Sequence, residues 1–141
     1  MLLLDTNVVS GAFRPTREPV VERWFNSVDR NSLYVSAITK AELLYGLAIM
    51  PAGRRKLDLA EVIWRFLVQE MRTEILQFGS VEAEYFAEIA ATRRDKGRPV
   101  SQSDAQIAAI ARARGFTVAT RNVRDFEECG VEIVNPWSGV E

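Results

Sequence analysis

The chain has 141 residues, 48% hydrophobic and 26% charged, with a formal net charge of −1. That is an ordinary globular composition, sized for one domain with one substantial core, and its near-neutral charge gives no global attraction for nucleic acid. Histidine is absent and cysteine occurs once, which removes the commonest general base, the zinc sites that need His, and any internal disulfide, leaving oxygen-ligand chemistry and an expected cytoplasmic setting.

The first predicted element is a buried strand over Met1–Asp5, because four apolar residues are too few for a signal peptide or a membrane span. A short helix follows Asn7, and a second carries Val20, Val21, Trp24 and Phe25. A strand is expected over Ser32–Ser36, then a helix over Thr39–Met50 with Leu43, Leu44 and Leu47 on its apolar side. Pro51 and Gly53 break the chain before a long helix over Arg54–Met71, and Thr73–Phe78 reads as a third strand. A helix from Ser80 to Arg94 ends at Gly97; another starts at Ser103, with Gln106 as its capping-box partner, and closes at Gly115. Short strands over Thr117–Thr120 and Val131–Val134 complete the pattern. Strands alternating with helices predict a three-layer α/β/α domain spanning 1–141, with a twisted parallel sheet of about five strands.

Four acids then fall at equivalent places. Asp5 ends the first strand, Glu42 lies in the first turn of the helix after the second, Asp104 opens the helix from Ser103, and Asp125 follows the strand TVAT. In a parallel sheet those places share the carboxyl edge, where ligands bind. Carboxylates gathered there repel one another unless a cation sits between them, and oxygen ligands favour Mg²⁺, with Mn²⁺ as a substitute. Each acid also has a structural reading. Glu42 stands three residues after Thr39, a capping-box spacing; Asp104 suits a helix dipole; Asp125 fits a cap for the turn after Asn122. Gly46, one turn beyond Glu42, either leaves that carboxylate uncovered or permits close helix packing.

Around the acids, Asn122 offers an amide for a water or a phosphate oxygen, and Thr6 a hydroxyl to support a metal ligand. Arg121, Arg93 and Arg94 are the cations placed to contact substrate phosphate, against the alternative of solvated faces. Trp24, Phe25, Trp64, Phe66 and Leu67 present more apolar surface than a small sheet is expected to cover.

The segments "LLLDTNVVS", "VSAITKAELLYG", "SQSDAQIAAIARARG" and "VATRNVRDF", with the ending "VEIVNPW", resemble the PIN-domain ribonucleases, in particular the VapC/FitB-type toxins of toxin–antitoxin pairs. The resemblance spans essentially the whole chain, with all four acids in place. It implies a metal-dependent endoribonuclease site built from Asp5, Glu42, Asp104 and Asp125, with Asn122 and Thr6 in support. It also implies a homodimer, an antitoxin whose tail enters the active-site groove, and a joint assembly on promoter DNA. In that arrangement some of Trp64, Phe66 and Leu67 are expected between subunits, and Trp24 or Phe25 in the antitoxin groove; the alternative is that Trp24, Phe25, Trp64 and Phe66 simply fill the monomer's own core.

Two other classes stay in view. One is an antitoxin-binding, promoter-regulating module with little nuclease activity, which would have no need of all four acids. The other is a phosphoryl-transfer α/β protein; a haloacid-dehalogenase-like phosphatase would want an aspartate where Asn7 stands, and a receiver would want an acidic pair that is missing.

Overall fold

In the computed structural model, which describes residues 1–12, 18–71 and 74–138, four parallel strands form one sheet in the order β2-β1-β3-β4. They are β1 (Leu2–Leu4), β2 (Leu33–Val35), β3 (Thr117–Ala119) and β4 (Ile133–Val134). Leu2, Leu3 and Leu4 pair with Leu33, Tyr34 and Val35 on one side and with Thr117, Val118 and Ala119 on the other. β1 is therefore central, and its apolar run is what a strand covered on both faces requires.

Six α-helices flank the sheet: α1 (Thr6–Ala12), α2 (Pro19–Ser27), α3 (Ala37–Ala48), α4 (Arg54–Arg65), α5 (Ser80–Asp95) and α6 (Gln102–Arg114). Side chains alternate across a strand, and β1 feeds two cores accordingly. Leu3 packs with Val118, Ile89 of α5 and the run Ile107–Ala111 of α6. Leu4 packs on the other face with Val8, Val9, Trp24, Leu43, Ile63 and Phe66. This is the three-layer α/β/α arrangement expected from the alternation of elements.

Several local expectations change. The predicted strand over Thr73–Phe78 contributes one parallel bridge, Ser36 to Leu76, beside β2. Leu76 N donates to Val35 O and Ala37 N to Leu76 O, so the segment lies where a fifth strand would, but the described sheet has four; Thr73 is outside the described residues. The long helix ends as an α-helix at Arg65, and Phe66–Glu70 forms a wider π turn whose last bond is Met71 N to Phe66 O. Trp24 and Phe66 fill the monomer core and are 5% and 6% exposed, Phe25 and Leu67 lie partly buried beside them, and Trp64 stays 56% exposed. Burying the α1–α2–α4 face consumes the Phe66 and Trp24 rings, which narrows the expected interface to Trp64 and Leu67 and the expected groove residue to Phe25.

Candidate active site

Asp5 leaves the end of β1 directly into α1, and its carboxylate is only 4% exposed. One oxygen, Oδ1, accepts from Thr6 N at 2.8 Å, and the other, Oδ2, accepts from the Thr120 hydroxyl at 2.8 Å. Thr120 is fully buried at the end of β3 and also accepts from Asn122 N at 3.0 Å. One hydroxyl thus fixes the rotamer of Asp5 and the start of the loop that carries Asp125. The sequence reading missed it, although its place at the end of TVAT, level with Asp5 in register, is a signal that strand pairing supplies.

Glu42 reaches the same place from α3. That helix starts at Ala37 rather than Thr39, because Ser36 caps it, its hydroxyl accepting from Thr39 N at 3.1 Å. Glu42 is therefore in the second turn, and the capping-box reading from Thr39 is excluded. Thr39 instead sits buried within the helix, its hydroxyl 3.0 Å from that of Thr6, and Thr6 Oγ1 donates to Glu42 Oε1 at 3.2 Å. Thr6 thereby touches two of the acids, Asp5 through its amide and Glu42 through its hydroxyl. A side chain added at Gly46 would meet nothing within 4 Å, so the close-packing reading of that glycine falls and the open-carboxylate reading remains.

Asp104 is the third residue of α6. The cap is Ser101, whose hydroxyl accepts from Asp104 N at 3.2 Å, so the expected cap at Ser103 with Gln106 as partner is two residues out of register. Gly115 closes the helix in the left-handed conformation, φ +69°, as expected. Asp125 stands at the end of a single 3₁₀ turn, Val123–Asp125, where it is partly buried and its amide donates to Asn122 O at 3.0 Å.

Charge links Asp5 to the other acids: Glu42 and Asp125 act on it, and it acts with Asp125 on Asp104. Burial is the main force pushing the Asp5 carboxyl above its ordinary 3.8, and the charges of Glu42 and Asp125 add to it against the two hydrogen bonds. Asp104 is raised in the same direction, first by burial and then by Asp5 and Asp125, while Ser101 and Arg93 oppose the rise. Among the described residues none of the four acids is in an ion pair.

The cations divide. Arg93 is 3% exposed, and its guanidinium is spent on backbone carbonyls: Nε donates to Arg98 O at 2.7 Å, and Nη1 to Arg124 O at 3.0 Å and to Glu127 O. It ties the Asp125 loop to the turn before α6, and a buried fork so committed leaves nothing to meet a phosphate; that expectation is corrected. Arg94 is exposed on α5. Arg121, also exposed, lies with its guanidinium carbon 5.1 Å from the Trp137 ring centroid. Asn122 is exposed at the mouth of the loop, and its side chain makes no cap.

The PIN domain family model matches residues 2–131. The chain belongs to the PIN domain family. Over 137 residues it is 42% identical to the plasmid stability protein StbB of Pseudomonas syringae pv. tomato, covering 97% of this chain and 99% of that one. It is 36% identical over 137 residues to the VapC ribonuclease Y4jK of Sinorhizobium fredii, covering 97% and 98%. A solved structure of FitAB bound to the IR36 DNA fragment superimposes with a TM-score of 0.91 at 35% identity, covering 100% of this chain and 98% of that one. In this PIN domain the acids stand on the carboxyl edge of a parallel sheet, on four separate segments of chain.

Proposed function

We propose that this protein is a Mg²⁺-dependent endoribonuclease, the toxin of a toxin–antitoxin pair, working in the cytoplasm. The observation that carries the reading is the buried Asp5, coupled by charge to Glu42 and Asp125 and itself acting on Asp104, with none of the four acids in an ion pair among the described residues. The 36% identity to a protein named as a VapC ribonuclease supports RNA as substrate.

The donor set fits a hard divalent ion. Each Asp5 oxygen accepts one hydrogen bond and keeps a further lone pair. Among the described residues no three acids close into a cage; Mg²⁺ is an ion that holds one or two carboxylates and completes its shell with water and phosphate oxygens. Asp5 and Asp104 would hold it, with Glu42 and Asp125 nearby. A cation held there would supply an acidified water and charge neutralisation at the phosphate; Mn²⁺ would substitute.

The protein's own groups do the rest. Thr6 and Thr120 hold Asp5 in one orientation, so that no reorganisation is needed during reaction. Glu42, exposed and hydrogen-bonded by Thr6, is placed to orient a water, and the Asn122 amide to meet a phosphate oxygen. Arg94 lies free to extend an electropositive track for the RNA backbone.

A groove of about 880 Å³ runs from Thr6 and Glu42 past Gly46 and Leu47 to Leu59 and Ile63. It runs from Glu42 onto the apolar faces of α3 and α4, and we assign it to the antitoxin tail. The solved FitAB complex on DNA supports a joint assembly on a promoter, and the exposed Trp64 supports a homodimer.

Asp104→Asn tests the reading. With Mg²⁺ present, the parent should cleave RNA and arrest growth when expressed alone, and the variant should do neither while folding normally. A folded variant that cleaves as the parent does would overturn the site. A parent that leaves RNA intact in Mg²⁺ or Mn²⁺ yet binds its partner would instead make it the regulatory module.

A further inference from the structure

A second feature sits beside the acids without belonging to them. Asn7, two residues beyond Asp5, accepts through Oδ1 from Arg121 N at 3.4 Å, and Arg121 follows the Thr120 that holds Asp5. The Arg121 guanidinium lies over Trp137. That ring is fixed in turn: Trp137 N donates to Asn135 Oδ1 at 2.9 Å, and the ring edge stands 3.4 Å from where a Cβ on Gly11 would be. Among the described residues the indole Nε1 is buried with no hydrogen-bond partner, and a buried donor without an acceptor is a rare and costly thing to keep. Trp137, Arg121, Asn7 and Glu18 line a small cleft there with Val21 and Gly11.

We propose that this cleft holds a nucleobase of the RNA next to the scissile phosphate, with Arg121 as the stacking surface and Trp137 as the residue that positions it. The proposal rests on the nuclease reading above. The polar inventory chooses the ligand. A phosphate offers acceptors alone, and the Glu18 carboxylate would repel it. A base edge carries both donors and acceptors, matching Glu18 as acceptor, the Asn7 amide as either, and the indole N–H as donor. Single-stranded RNA is read in this manner, by splayed bases that stack on aromatic rings or arginine planes and bond through their edges. The enclosed part measures about 70 Å³, room for about two waters, so only a base edge enters while the ring lies outside on the guanidinium. An arginine already stacked on tryptophan loses less freedom on binding than a free one.

The test uses the full-length Asp104→Asn protein and short single-stranded RNAs followed by fluorescence anisotropy, including a series in which each base in turn is replaced by an abasic nucleotide. Arg121→Ala and Trp137→Leu should each weaken binding about tenfold, the size of one lost stacking contact, and the double variant should be no weaker than the worse single one. Trp137→Phe, which keeps a ring under Arg121 but has no N–H to offer the base edge, should recover only part of the loss. Removing one particular base should cost the parent the same factor and cost Arg121→Ala nothing. Parent-like binding by Arg121→Ala overturns the proposal. So does a loss that is equal for every abasic RNA and lowers the salt slope by about one, the mark of a phosphate contact. If the protein with Asp104 intact cleaves RNA, these failures fall on the cleft alone; if it neither binds nor cleaves RNA, both readings fall.

Discussion

The two faces of the sheet end differently. On the α5–α6 face, three arginines find their partners within the chain. Arg114 pairs with Glu82 at 2.9 Å, Arg112 pairs with Glu88 at 3.0 Å and lies over Tyr85, and Arg93 closes three backbone carbonyls. Ala105, Ala108, Ala109 and Ala111 of α6 are buried, which lets α5 lie close against it. On the α3–α4 face the inner side chains are just as buried, but Tyr45, Ile49, Leu57 and Trp64 stand more than half exposed, flanking the groove that opens at Glu42. Scattered apolar residues on a surface are ordinary; a cluster along two adjoining helices marks an interface. One face is finished by the chain itself, and the other leaves large apolar side chains in solvent. The acids sit at the end of the sheet where the two meet.

The finished face should be brittle. Arg93→Met would leave three carbonyls without their donor, and at typical costs for buried unpaired groups the loss is on the order of 3 kcal/mol, read as a drop in urea midpoint. Because the same carbonyls hold the Asp125 loop, activity should fall further than stability explains, with Arg93→Lys intermediate. A cost below about 1 kcal/mol would mean that the α5–α6 face does not depend on this fork.

Acid should separate the site from that face. Asp104 titrates above 3.8 in the folded protein, so its ionised form opposes folding. The penalty is complete above the folded pKa, shrinks as pH falls toward 3.8, and is gone below it. Asp104→Asn should therefore raise the melting temperature of the metal-free protein by a few degrees at pH 7, with the gain vanishing below about pH 4. Glu82 has the opposite sign. Its hydrogen bonds, including those from Gly79 N and Arg114, outweigh burial and hold it below its ordinary 4.5. The stability it contributes is present above 4.5 and is lost as pH falls through the folded value. Glu82→Gln should thus destabilise at pH 7 and converge with the parent in acid. Parallel melting curves for the two variants across that range would remove the distinction.

The open face should be tolerant to the smallest degree measurable. Trp64→Lys is expected to change folding stability by no more than about 0.5 kcal/mol, yet to shift sedimentation from dimer toward monomer. A monomeric parent would take Trp64 out of any interface between copies.

Sequence alone determined the class of the fold, the central strand with Asp5 at its end, the edge that gathers the acids, and the closure of α6 at Gly115. These depend on apolar periodicity and on glycine's freedom at positive φ, which a chain carries locally. The caps were decided by structure: Ser36 and Ser101 hold the helix starts where Thr39 and Ser103 offered the same chemistry. Thr39 went to Thr6 instead, a contact between residues 33 positions apart. Likewise nothing local distinguishes Arg93, sunk among the carbonyls of a loop some thirty residues on, from Arg94 in solvent beside it. Phe66 and Trp24 turned inward while Trp64 did not, because that depends on which side of a helix meets the sheet. Periodicity shows that a helix has an apolar side; only packing decides how much of that side the chain can cover, and here it covers one face of the sheet and leaves the other open.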